Sequence, residues 1–175
     1  MVIFFPGKGG ARLPELYEQY AKPVYRFLLR LTGNAHQAED LLQETFCQAF
    51  THIGQFEGRS SLYTWLCRIG KNAWLRECRR RSRYADTAWE DLPLADPGPT
   101  PEETVLRREA LRQIQQAVLR LEDPYKEVFI LHIYGDLKLK DIAALNGKSE
   151  SWARVTYHRA RQQILKEVSA YETEL

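Results

Sequence analysis

Arginine is placed in this sequence where it could do chemistry on phosphate. One cluster is Arg76, Arg79, Arg80, Arg81 and Arg83, and a second, spaced set is Arg154, Arg159, Arg161 and Lys166, with His158 among them. No acid falls between Ser151 and Lys166. Each guanidinium is a permanent charge carrying a fork of donors, which suits phosphate oxygens. Upstream of the first cluster, Tyr63 and Trp74 share a helical face with Cys67 and Gly70, beside a polar stripe of Thr64, Arg68, Lys71, Asn72 and Arg79. Aromatic faces next to cations and an amide suit single-stranded DNA, whose bases stack while its phosphates pair with the cations. Asp40, Gln43 and Glu44 stand at i, i+3 and i+4. Acid there does not serve DNA, and it suits a protein partner that offers arginines. The plainer alternative for each feature is aromatics packed on a neighbouring helix and charges that are merely solvated.

No catalytic constellation competes. His36, His52, His132 and His158 are scattered, and Cys47, Cys67 and Cys78 form no CxxC pair. The expectation is a protein that is not an enzyme, with no metal, cofactor or small-molecule substrate. Sparse, odd cysteines also predict reduced thiols and a cytoplasmic location. The chain has 175 residues and a net charge of +2, an average over segments of opposite sign. Its apolar start, Val2 to Phe5, is too short for a signal-peptide core or a membrane span, so residues 1–12 read as a tail without membrane insertion.

Helices must position these groups. Over residues 13–83 the spacing predicts three. The first carries Leu16, Tyr20, Val24, Phe27, Leu28 and Leu31, with Pro23 expected to kink or split it. The second is capped by Asn34, with Gln37 completing a capping box, and buries Ala38, Leu41, Leu42, Phe46, Ala49 and Ile53. The third follows Ser60 or Ser61 and is expected to turn Leu62, Trp65, Leu66, Ile69 and Ala73 inward.

Residues 84–104 differ sharply, with six acids, four prolines and no lysine or arginine. This composition predicts an acidic linker rather than a continuous helix. Helical periodicity returns over residues 105–175. Leu139 to Thr156 fits a helix-turn-helix: Ala143 permits close approach, Gly147 supplies a left-handed turn, and Ile142, Leu145 and Ala153 fill the small core. A positive helix after a tight turn is what a major-groove reader needs. The fold class is all-α, two small helical domains joined by the linker. From the residues alone, a conventional helix-turn-helix regulator and a helical adaptor both remain open.

Four motifs in order narrow the choice. They are Ala38-Glu39-Asp40-Leu41-Leu42-Gln43-Glu44-Thr45-Phe46, Ser61 to Asn72 (SLYTWLCRIGKN), Leu121 to Phe129 (LEDPYKEVF), and His158-Arg159-Ala160-Arg161. Together they resemble the extracytoplasmic-function group of bacterial sigma factors over nearly the whole chain after the first dozen residues. The resemblance implies a sigma region-two bundle at residues 13–83 and a region-four helix-turn-helix at 105–175.

It implies partners too: RNA polymerase core, through the β′ clamp and the β flap, promoter DNA, and an anti-sigma factor. Asp40, Gln43 and Glu44 match the motif that docks on the β′ clamp coiled coil. The loop holding Phe56, Gly58, Arg59, Ser60 and Ser61 matches, with Asn72, the pocket for a flipped minus-ten base. Tyr63, Arg68, Lys71, Arg76, Arg79 and Arg80 complete the expected single-strand surface. Ser151, Trp152, Arg154, Val155, Thr156, His158, Arg159 and Arg161 fall on the expected minus-thirty-five reader. The linker matches a segment that enters the polymerase cleft, where its acids would mimic nucleic acid. The chain departs from the family pattern at Trp152, Val155 and Thr156, where threonine, serine and arginine are usual. It departs also at Asn146 and Lys148, where apolar residues are common, and at Gly70, where alanine is.

Overall fold

A computed structural model describes residues 13–84 and 101–173, with side chains over 14–81 and 110–169. Expectations for the tail and for the linker between residues 85 and 100 lie outside the described residues. All described regular structure is helical, in two units, α1 to α3 and α4 to α7.

In the first unit α1 spans Leu13–Thr32, α2 Ala35–His52 and α3 Leu62–Tyr84, and all three pack on one another. Val24, Phe27 and Leu28 are fully buried, and each large side chain removed from water contributes roughly 1.5–3 kcal/mol. Pro23 lies inside α1 and does not split it. A proline removes one backbone hydrogen bond, and the buried stripe on either side of it holds the helix together. Asn34 caps α2 as expected, its Oδ1 accepting from the Gln37 backbone N–H at 3.0 Å. The reciprocal half of the capping box is replaced, because the Asn34 N–H donates to Thr32 Oγ1 at 3.2 Å. A 3-10 turn, Ile53–Gln55, ends the element. Ser61 caps α3, with its hydroxyl accepting from the Thr64 N–H at 3.1 Å.

Helix α3 is rotated relative to the expected orientation. Cys67, Gly70 and Trp74 face the core together with Leu66 and Ala73, while Leu62, Trp65 and Ile69 are only half-buried. Gly70 explains the rotation. A Cβ there would sit 3.1 Å from Leu28 Cδ2 and 3.2 Å from Thr45 Oγ1, so at this point α3 makes its close approach to α1 and α2. Sequence periodicity chose the more hydrophobic-looking of two plausible stripes, and helix packing selected the other.

The second unit has α4 at Pro101–Arg120, α5 at Tyr125–Ile133, α6 at Leu139–Leu145 and α7 at Glu150–Thr173. Helix α4 starts inside the segment expected to be linker. Pro101 occupies the first helical position, where a missing N–H loses nothing. Helix α7 packs against α4, α5 and α6. The α6–α7 turn forms as expected: Gly147 has φ +63°, and the Gly147 and Lys148 N–H groups donate to the Ala144 and Ala143 carbonyls at 3.1 and 2.9 Å. Ser149 opens α7, its hydroxyl accepting from the Trp152 N–H at 3.2 Å. Asn146 donates to Glu127 Oε1 at 3.1 Å and to the Ile142 carbonyl at 2.9 Å. The amide at this unusual position thus satisfies a buried carboxylate on α5.

Candidate nucleic-acid and partner interface

Asp40, Gln43 and Glu44 are all exposed on α2, on the side away from its buried stripe. Glu44 is engaged: its Oε1 accepts from Gln48 Nε2 at 2.7 Å and from Arg76 Nη2 of α3 at 2.8 Å. The acidic face of α2 and the basic face of α3 therefore meet at an ion pair.

Along α3, the solvent side carries Trp65, Arg68, Asn72, Arg76 and Arg79 at helical spacing, with Asn72, Arg76 and Arg79 exposed and Trp65 and Arg68 half-buried. Phe56, in the loop before α3, leans on Trp65 with ring centroids 5.4 Å apart. The loop then runs through Gly58, at φ +70°, to Arg59, which pairs with Glu57, and to Ser60 and Ser61. Ser61 Oγ is held by its capping role and by Thr64 Oγ1 at 2.8 Å.

Three expectations on this surface are corrected. Trp74 is a core side chain, 3% exposed, so it offers no stacking face; Trp65 holds the surface position expected of Trp74. Lys71 is 1% exposed and Thr64 is buried, so neither belongs to an open polar stripe. Tyr63 is half-buried near the start of the helix, beside the Cys67 thiol. Burial pushes both the Cys67 and the Cys78 thiols up to about 12, against a weaker opposing hydrogen bond from Tyr63 at Cys67. These two cysteines act as small apolar groups of the core.

Within the arginine cluster, Arg80 and Arg81 are pre-paired on one carboxylate. Arg80 reaches both oxygens of Glu77 at 2.8 Å, and Arg81 reaches its Oε1 at 2.9 Å. The hydrogen bond from Arg80 is the main cause, with Arg81 assisting, that lowers the Glu77 carboxyl to about 2. A carboxylate depressed this far stays ionised until the medium is strongly acidic, so the pairing persists throughout the physiological range. Arg79 Nε donates to the Leu75 carbonyl at 3.2 Å. Glu77 was the signal in the sequence, an acid inside the arginine run that a charge count passes over.

On α7, Ser151, Arg154, Val155, His158, Arg159 and Arg161 are all exposed, as expected. Val155 is 49% exposed among these polar groups, and Leu165, further along the helix, is 54% exposed. Arg154 bonds Glu150 through Nη2 at 2.6 Å and Nε at 3.2 Å. His158, Arg159 and Arg161 have no ion pair or side-chain hydrogen bond among the described residues. Thr156 is the correction here: at 4% exposure it points into the unit with Ala153 and Ala160. Trp152 is half-buried. Between them, α2, α3 and α7 present an acid face, an aromatic–amide–cation face and a basic helix after a tight turn.

Two family profiles match the chain in this order: Sigma-70 region 2 over residues 16–84, and Sigma-70, region 4 over residues 111–164. The chain belongs to the sigma-70 family. Within the family it is an extracytoplasmic-function (ECF) sigma factor, an alternative sigma factor whose activity is transcription initiation. It is 30% identical to the RNA polymerase sigma factor YlaC of Bacillus subtilis, over 90% of this chain and 92% of that protein. It is 30% identical to the ECF sigma factor SigW of the same organism (88% and 87% covered) and 32% identical to SigM (87% and 92%). Solved structures share the fold. RpoE of Bartonella quintana, in complex with the anti-sigma factor NepR, superposes with a TM-score of 0.55 at 22% identity, covering 89% of this chain and 96% of that one. CnrH, in complex with the cytosolic domain of CnrY, does so at 0.54 and 18% identity, covering 90% and 88%. In this sigma factor α1 to α3 form the region-two unit, and the α6–α7 helix-turn-helix lies within region four. Among the described residues, no helix is long and apolar enough to cross a membrane.

Proposed function

We propose that this sigma factor docks on RNA polymerase core through Asp40, Gln43 and Glu44, at the β′ clamp, with region four reaching the β flap. It reads minus-thirty-five duplex with α7 and captures an unpaired minus-ten base between the Phe56–Ser61 loop and Asn72. One observation carries this reading: a single three-helix unit exposes an acid–amide face on α2 and an aromatic–amide–cation face on α3. Protein docking and nucleic-acid capture need opposite charge, and one unit supplies both.

The chemistry follows from the groups present. Trp65, half-buried and backed by Phe56, offers aromatic surface on which an unstacked base can stack, and such stacking is worth about 1–3 kcal/mol per base. Asn72 lies further along the same face, about two helical turns on, and offers both a donor and an acceptor to a base edge. The two contributions offset an unstacking cost of a few kcal/mol, so melting needs no nucleotide hydrolysis. On α7, Arg159 and Arg161 neutralise phosphates, while Ser151, Arg154 and Val155 occupy the first turns of the helix, where base edges are read. Val155 suits a thymine methyl. Trp152, being half-buried, fits backbone contact better than base reading.

The domain limits follow the same reading: a tail over residues 1–12, region two to residue 83, an acidic connection, and region four through the C-terminal helices. The protein acts in the cytoplasm, without catalysing a reaction of its own and without a cofactor. An anti-sigma factor is its expected regulator; the RpoE structure is of a sigma factor in complex with an anti-sigma factor.

Two variants test the reading in one set of assays. Replacing Asp40, Gln43 and Glu44 together by alanine should abolish co-purification with core polymerase while leaving the helical signal unchanged. Asn72→Ala should keep polymerase binding and lose open-complex formation in permanganate footprinting far more than duplex binding. Normal co-purification of the triple variant, or equal losses for Asn72→Ala in both DNA assays, would sink the corresponding assignment.

A further inference from the structure

The Glu44–Arg76 contact joins two surfaces that the proposed function treats separately. Glu44 belongs to the α2 face assigned to polymerase, and Arg76 to the α3 face assigned to DNA, one turn beyond Asn72. Arg76 Nη2 lies 2.8 Å from Glu44 Oε1, and both side chains are about half exposed, at 49% and 44%. The pair spans 32 residues of sequence, so it exists only because α2 and α3 pack together.

We propose that this ion pair couples docking to DNA capture: in the free protein Glu44 keeps Arg76 from phosphate, and a cation-bearing partner that takes Glu44 releases Arg76 to the DNA. The inference rests on the assignments of the preceding subsection and adds a linkage between them. An exposed ion pair contributes little to stability, so it exchanges readily when a better partner arrives. A docking surface rich in guanidinium is one such partner, since Glu44 accepts its present bonds through Oε1 alone. The linkage is reciprocal. DNA that draws Arg76 away frees Glu44, and it strengthens polymerase binding by the same factor.

The test uses the full chain and a fluorescent, mixed-sequence single-stranded oligonucleotide at low salt, without polymerase. Glu44→Gln keeps the side-chain shape and removes the charge that holds Arg76. It should tighten oligonucleotide binding by about two- to five-fold, the range over which exposed ion pairs act. In an Arg76→Ala background the same substitution should give no gain. Glu39→Gln removes an equal charge from an exposed position of α2 that has no ion pair among the described residues, and it should give no comparable gain.

Three results overturn the coupling: no tightening by Glu44→Gln, a tightening that survives Arg76→Ala, or an equal tightening by Glu39→Gln. Any of these would leave the docking assignment intact, because that assignment fails only if the triple variant still co-purifies with polymerase. Conversely, if Asp40, Gln43 and Glu44 prove dispensable for docking, a gain dependent on Arg76 still shows that Glu44 masks Arg76, and only the link to docking falls.

Discussion

Helices α3 and α7 have similar lengths, and α3 carries seven lysines and arginines to the four of α7, yet they hold those cations differently. On α3, Lys71 is buried, Arg76 pairs with Glu44, and Arg80 and Arg81 share Glu77. On α7, Arg159 and Arg161 are exposed with no ion pair among the described residues, while Arg154 is held by Glu150. The difference matches the two tasks. A duplex presents phosphates at fixed spacing, so open cations can meet it at once. A single strand is captured only after melting, so a face whose charge is partly neutralised beforehand binds it less indiscriminately. The lesson is that counting basic residues overstates how much charge a helix offers to DNA.

The largest effect that would break this comparison lies inside α3. Trp74 and Trp65 look interchangeable in sequence and occupy opposite sides of the helix. Trp74→Ala should destabilise the region-two unit by about 3–5 kcal/mol, the range for emptying a buried aromatic site, read as a lowered thermal or urea midpoint. Trp65→Ala should cost much less stability and should weaken single-strand binding instead. Similar destabilisation by both would mean that the α3 rotation is wrong.

A smaller effect concerns the open and paired cations themselves. Replacing Arg159 and Arg161 by alanine should lower the log–log salt slope of duplex binding by about 2, one for each phosphate no longer neutralised. Replacing Arg80 and Arg81 should change the slope of single-strand binding by less, because both charges already sit on Glu77. Equal slope changes would erase the distinction between the two helices.

The smallest effect is at Thr156, which the helix pattern places among the reading residues and the fold places inside. Thr156→Val keeps the size of the buried group. It should shift stability by no more than about 1.5 kcal/mol, the usual net worth of a hydroxyl's hydrogen bond, and leave duplex affinity within about two-fold in a gel shift. A tenfold loss of affinity would put this side chain back on the DNA.

Much of this protein is legible from residues alone. Helix number and order follow from apolar periodicity. The Asn34 and Ser61 caps follow from side chains that must satisfy orphan N–H groups, and the Gly147 turn from a backbone angle that other residues adopt at a cost. The exposed acid face of α2 and most of the exposed face of α7 follow too, because in each helix only one stripe is apolar enough to bury.

Only tertiary packing decided the rest. Helix α3 carries two candidate stripes, and the close approach at Gly70 favoured the less apolar one, sending Trp74 and Lys71 inward and leaving Trp65 half-buried on the solvent side. The Glu44–Arg76 pair likewise needs two helices side by side. Periodicity is a property of one helix. Which stripe is buried, and which charges meet, depends on the shape of its neighbours.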